Sequence, residues 1–121
     1  MVAIESAPSS CYDFADNLNA FDHVELYEGA VEEILPSLVT SLPHPQLVVL
    51  YPPRSGLQAK AREALLSLAP EQIIYVSCDP ASLARDLKVF MANGYELKNL
   101  RGFYMFPQTY HIETVVWISK R

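Results

Sequence analysis

Only four glycines occur in the 121 residues, at positions 29, 56, 94 and 102, and no two of them form the Gly-X-Gly pair that opens a nucleotide-cradling loop. Neither a phosphate cradle nor a glycine-rich cofactor loop is therefore expected. The two cysteines, Cys11 and Cys78, lie far apart and do not make a metal-ligating pair. At Met1-Val2-Ala3-Ile4-Glu5 no basic region precedes an apolar core, so no secretion signal is read there. Both cysteines are accordingly expected to be reduced thiols in a cytoplasmic protein. Apolar runs are strand-sized and interrupted by proline or charge, which argues against a membrane span. Positive charge is scarce as well. Nine Lys and Arg stand against 14 Asp and Glu, giving a formal net charge of −5 and a pI near 5.0. A stand-alone nucleic-acid binder normally presents a basic face, so this balance argues against that class. RNA held mainly by another domain remains compatible with it.

What is present points to a packed α/β domain. Half of the residues are hydrophobic, enough for a real core, and the length suits one domain while being short for a complete enzyme of this architecture. Residues 1–5 read as a strand and 6–10 as a turn. Residues 11–18 follow as a helix with Cys11, Phe14, Ala15 and Leu18 at helical spacing. A second strand at 23–27 turns through Glu28-Gly29 into a helix around 31–35. After Pro43 and Pro45, residues 47–50 form a continuous apolar run of the kind buried on both faces of a parallel sheet. A proline-rich loop leads to a helix over 57–68, then a strand over 73–77 and a helix from about 80 to 93 that ends at Gly94. Two extended segments around Phe106-Pro107 close the chain. This alternation predicts a mostly parallel sheet with helices on both faces and an antiparallel C-terminal strand pair. Ligands of such sheets bind beyond the carboxyl ends of the strands, where Glu5, Tyr51 and Cys78 all fall.

Three places carry candidate chemistry. Cys78 follows the strand at 73–77 and precedes Asp79-Pro80, a good N-cap and first-turn pair. A thiol at a helix N-terminus meets partial positive charge that favours thiolate, although cysteines are often simply small buried hydrophobes. Tyr51-Pro52-Pro53-Arg54 is a stiff loop at a strand end, able to hold a flat ring edge-on while Arg54 pairs with a carbonyl or phosphate; the bland alternative is a rigid turn. Glu113 enters an apolar strand, which costs free energy unless the acid is paired, functional or reaches water. His111 shares that segment and, with Cys78, permits a cysteine-hydrolase reading, though no oxyanion motif accompanies it. Glu5 has the placement of an acid that takes two ribose hydroxyls.

Taken together, several segments resemble the S-adenosylmethionine-dependent uracil-5-methyltransferases of ribosomal and transfer RNA. They are Val2-Ala3-Ile4-Glu5-Ser6-Ala7-Pro8, Tyr27-Glu28-Gly29-Ala30-Val31-Glu32, residues 48–57, IYVSCDPASLARD at 74–86 and MFPQTYHIE at 105–113. They follow the family's order and cover nearly the whole chain. The resemblance implies an incomplete Rossmann-like methyltransferase fold. It also implies Cys78 as nucleophile toward the ring, Glu113 as the base that removes the carbon-5 proton, Arg54 at the target base and Glu5 on the cofactor's ribose.

The departures are equally specific. The family's glycine-rich loop, upstream RNA-binding region and cofactor-binding glutamine have no counterpart here. Tyr51 stands where the family has aspartate in its Asp-Pro-Pro-Arg loop, a cofactor-binding position by the resemblance, so the change weakens the cofactor site. Ala30 stands where the family usually has an acid after Gly29. The expected chain is thus a fragment or truncated form, inactive alone, with RNA reached through other domains of a parent enzyme. A non-catalytic remnant binding RNA or a protein partner is the alternative. In the family sheet the missing strand lies between residues 2–5 and 47–50. Those two strands are expected either to close up or to be covered by another copy of the chain, since open edges are costly.

Overall fold

The computed structural model describes residues 2–6, 25–104 and 112–121. Strand β1 (Val2–Glu5) pairs in parallel with β2 (Glu25–Glu28), and helix α1 (Val31–Leu38) follows. Then come β3 (Leu47–Leu50), α2 (Ala59–Leu68), β4 (Gln72–Ser77), α3 (Pro80–Ala92), β5 (Tyr95–Tyr104) and β6 (Ile112–Lys120). The strands from β3 onward form one sheet in the order β3-β4-β6-β5, parallel at β3–β4 and antiparallel at β4–β6 and β5–β6. The α/β class and the antiparallel C-terminal pair are as the alternation predicts. The helix expected over residues 11–18 and the Phe106-Pro107 turn lie outside the described residues.

One buried face of the sheet organises the core. Ile73 and Tyr75 of β4 stand opposite Ile118 and Val116 of β6, and none of the four is more than 1% exposed. Ala61, Ala64, Leu65 and Leu68 of α2 and Leu83 and Phe90 of α3 pack into the same cluster. Each large apolar side chain so buried contributes on the order of 1.5–3 kcal/mol. Phe90 meets Tyr95 edge to face, with ring centroids 6.0 Å apart, tying α3 to the start of β5. The Tyr95 hydroxyl donates to the Pro70 carbonyl at 2.6 Å, so this buried phenol keeps a partner.

The helix boundaries differ from the sequence reading for physical reasons. Helix α1 continues to Leu38 through Pro36. Its buried Leu35 and its contacts with α2 outweigh the lost backbone bond. Helix α2 begins at Ala59, not at Leu57, because Gln58 keeps an extended backbone (ψ 151°) as its N-cap, while the Leu57 N–H before it bonds the Asp86 carboxylate at 2.9 Å. It ends where Ala69 takes a left-handed conformation and returns its N–H to Leu65 at 3.0 Å.

One alternative for the sheet is excluded, and one expectation is corrected. The strands β1 and β3 do not close up: among the described residues β1 pairs only with β2, and β3 pairs only with β4, so the sheet is split in two. Nor is β3 buried on both faces. Leu50 is 9% exposed while Leu47 and Val49 are 50% and 65% exposed, because no described strand or helix covers that side.

Candidate functional site

Cys78 occupies the single residue between the end of β4 and the N-cap of α3. The turn around it is fixed from both sides. The Ser77 hydroxyl accepts the Asp79 N–H at 3.0 Å and donates to the Asp79 carbonyl at 2.9 Å. The Asp79 carboxylate accepts both the Ser82 N–H at 3.0 Å and the Ser82 hydroxyl at 2.9 Å, capping the helix as the sequence leads one to expect. These hydrogen bonds from Ser82, with the Arg54 charge adding to them, hold the Asp79 carboxyl below its usual range. Cys78 itself is a free thiol, partly exposed.

The loop after β3 is tied to the same helix. The Ser82 hydroxyl shares its one hydrogen between the Asp79 carboxylate and the Arg54 carbonyl, which lies 2.6 Å away, and the Arg85 guanidinium donates to the Ser55 carbonyl at 2.7 Å. Beneath both lies Asp86, wholly buried, a residue the sequence reading quotes within a motif without assigning it a part. Its carboxylate accepts from Leu57 N–H at 2.9 Å, Tyr75 hydroxyl at 2.5 Å, Arg62 at 2.8 Å and Arg85 at 3.3 Å. Burial works against its charge, but these donors outweigh it and keep the carboxyl below its usual range. Burial and the Asp86 hydrogen bond push the Tyr75 phenol far upward, so it stays a donor. Gly56 turns at φ +77° directly over this carboxylate, where an added Cβ would lie 2.7 Å from Asp86 Oδ2. The signal for Asp86 was legible: it follows Leu83 by three residues and precedes Phe90 by four, an acid on the helix's buried stripe.

Glu113 approaches from the opposite strand. The antiparallel β4–β6 ladder ends at the pair Ser77–Thr114, so Cys78 follows β4 at the same end of the sheet where Glu113 precedes Thr114 on β6. Glu113 Oε1 accepts the Tyr51 hydroxyl at 3.1 Å across 62 residues of sequence, while Oε2 is buried with no hydrogen-bond partner. That hydrogen bond, the Glu113 charge and, more weakly, the charge of Cys78 raise the Tyr51 phenol above its ordinary value. Cys78, Glu113 and Tyr51 therefore share one end of the sheet, with Arg54 anchored beside Asp79.

Glu5 stands apart from this group, at the carboxyl end of β1 in the two-stranded sheet. Its register partner is Glu28, its backbone carbonyl accepts from Gly29 at 2.8 Å, and its Oε1 accepts from Ser6 N–H at 2.9 Å. Ala30 is the N-cap of α1 and supplies no side-chain hydrogen bond there. His111 and Cys11 lie outside the described residues. Among the described residues no three His, Cys, Asp or Glu side chains gather to hold a metal ion, and no helix is long and apolar enough to cross a membrane.

The chain is similar to several known proteins. An RNA methyltransferase of Streptomyces avermitilis, itself described as uncharacterized, is 44% identical over 115 residues, covering 95% of this chain and 26% of the relative. A Protochlamydia amoebophila protein described in the same way is 45% identical over 103 residues, covering 85% of this chain and 24% of the relative. The chain thus spans about a quarter of the length of these relatives. Among solved structures, the Pyrococcus abyssi tRNA (uracil-54, C5)-methyltransferase in complex with S-adenosyl-L-homocysteine superposes with a TM-score of 0.77 and 25% identity, covering 97% of this chain and 28% of that one. A precorrin-6y C5,15-methyltransferase of Geobacter metallireducens, at TM-score 0.72 and 18% identity over 99% of this chain and 66% of the other, shares the fold. The sequence profile of the tRNA (uracil-5-)-methyltransferases matches residues 41–121, and the chain belongs to that family.

Proposed function

We propose that this chain carries the nucleophile and the proton-transfer group of an S-adenosylmethionine-dependent RNA uracil-5-methyltransferase. The observation that supports the reading is the β4–β6 register, whose last pair, Ser77–Thr114, has Cys78 and Glu113 as its neighbours at one end of the sheet. In this reading the Cys78 sulfur adds to the ring carbon beside carbon-5 and moves electron density onto carbon-5, which is otherwise a poor nucleophile. Arg54, anchored by its backbone to Ser82, faces the target base. When bound, S-adenosylmethionine would supply an electrophilic methyl group to carbon-5 and depart as S-adenosylhomocysteine. Glu113 then takes the carbon-5 proton, the ring double bond re-forms, and the Cys78 sulfur leaves.

The described residues fit only part of the cofactor. Glu5 offers a carboxylate at a parallel strand end, suited to a ribose diol. Ala30 offers no acid at the neighbouring helix start. The isolated chain is accordingly a fragment that binds cofactor weakly and does not complete methyl transfer alone. RNA, as a ribosomal or transfer RNA substrate, is selected and oriented by other parts of a parent enzyme, in the cytoplasm, while this chain by itself meets an unstructured uracil-containing strand. A second copy of the chain covers the uncovered side of β3, where Leu47 and Val49 are exposed.

Because the cofactor half is incomplete, the test separates it from the ring chemistry. Addition of Cys78 to uracil, uptake of a solvent proton at carbon-5 and removal of the original hydrogen by Glu113 exchange that hydrogen with water without any methyl donor. Tritium release from 5-tritiated poly(U) is expected from the wild-type chain and not from Cys78→Ala, with Glu113→Gln strongly slowed. Calorimetric titration with S-adenosylmethionine, with Glu5→Ala as control, reads the cofactor half separately. A second reading, a non-catalytic remnant that binds RNA or a protein partner, is favoured by the absence of an acid at Ala30 and by Tyr51 in place of aspartate. It predicts no tritium release above the Cys78→Ala background.

A further inference from the structure

We infer that Tyr51 is the positioning residue of Glu113, an inference that rests on the proposed function. Its hydroxyl engages one carboxylate oxygen and leaves the other as the acceptor for the substrate proton. Two independent features converge on this. The Tyr51 hydroxyl donates to Glu113 Oε1 at 3.1 Å, and Glu113 Oε2 is buried without a partner. A buried carboxylate oxygen with no donor is costly, and such orphans are kept where a reacting group completes them. Holding Oε1 also removes rotational freedom from the carboxylate, so that Oε2 keeps one direction.

The loop chemistry makes Tyr51 suitable for this part. Pro52 and Pro53 follow it directly and restrict the backbone, and the Arg54 carbonyl is fastened to Ser82. The ring therefore projects from a stiff base although 67% of Tyr51 is exposed. Glu113 and Cys78 both act to keep the phenol protonated, so it remains a donor and does not compete for the proton that Glu113 must take. An aspartate at position 51 would place a second negative charge near Glu113 and could not donate when ionised.

Two measurements on the full chain test this. In the first, the Tyr51 ring is followed by carbon-13 NMR through a pH titration. Its midpoint is expected above that of an ordinary tyrosine and to fall in Glu113→Gln; a midpoint that ignores Glu113→Gln overturns the contact. In the second, tritium release from 5-tritiated poly(U) is compared between wild type and Tyr51→Phe. The expected result is a roughly tenfold lower maximal rate with the KM for poly(U) changed less than twofold. Alkylation of Cys78 by iodoacetamide, which needs no base at carbon-5, should proceed equally in both. An unchanged rate in Tyr51→Phe overturns the assignment while leaving the proposed function standing. A faster rate shows instead that the phenol blocks the carboxylate. Wild-type release no greater than that of Cys78→Ala overturns the proposed function itself.

Discussion

Tyr75 in the middle of β4 donates its phenolic hydrogen to Asp86 on α3 at 2.5 Å, and both side chains are almost completely shielded from water. This one contact links the strand leading to Cys78 with the helix leading away from it. The same carboxylate takes the backbone N–H of Leu57, so the loop carrying Tyr51 and Arg54 is held by the same anchor. Three segments that meet at the candidate site thus share one buried charge.

Asp86→Ala is expected to lower unfolding stability by about 3 kcal/mol, because it leaves a buried phenol, a backbone N–H and the Arg62 guanidinium without their acceptor. Urea denaturation followed by circular dichroism measures the difference. A change under about 0.5 kcal/mol, the level of an ordinary surface substitution, would show that the network is dispensable.

Acid should weaken the fold through the same group. The Asp86 carboxyl lies below its usual range in the folded chain, so the unfolded chain binds the proton more readily. The stability it contributes is complete above the ordinary aspartate range, near pH 4, and is lost as pH falls through the lower folded value. Denaturation midpoints measured between pH 7 and pH 2 should decline below about pH 4, and the decline should be shallower in Asp86→Asn.

At the other sheet, Ala30 occupies an N-cap position with extended backbone and no capping side chain. Ala30→Asp should bond the first-turn N–H groups of α1 and raise stability by about 1 kcal/mol. The effect is to be read by thermal melting without any ligand. Calorimetric titration with S-adenosylmethionine then asks separately whether the restored acid also strengthens cofactor binding.

The uncovered side of β3 predicts self-association. With Val49 65% exposed and Leu47 50% exposed, sedimentation velocity should show an average mass that rises with concentration. Val49→Lys should shift that rise to roughly tenfold higher concentration. A wild-type chain that stays monomeric at millimolar concentration would remove the second copy from the account.

How far the sequence carries is clear from particular residues. The bounds of β3 are those of the apolar run between Pro45 and the Pro52-Pro53 pair, since proline delimits a strand locally. The Asp79-Pro80 cap and the turn at Gly94 (φ +97°) are likewise local signals. Cys78, Arg54, Tyr51 and Glu113 were singled out from the sequence, and Asp86 was quoted in the motif without a part. The grouping of these residues was not legible, because the Ser77–Thr114 register and the Tyr51–Glu113 bond join segments far apart in the chain. The gap between β1 and β3 was legible from the absent central strand, but that the two strands stay apart was not, strand pairing being a property of the assembled sheet. Asp86 was the avoidable omission, for an acid on a buried helical stripe is a recognisable pattern.

The most direct test of the central claim is whether Cys78 adds to a uracil ring. A Glu113→Gln chain, which cannot remove the solvent proton taken up at carbon-5 after Cys78 has added, is incubated with RNA containing 5-fluorouridine, whose fluorine makes the neighbouring ring carbon more electrophilic, then denatured, digested and examined by peptide mass spectrometry. The account predicts a nucleotide adduct on the peptide bearing Cys78, absent from Cys78→Ala. No adduct, or an adduct on Cys11 alone, would contradict it.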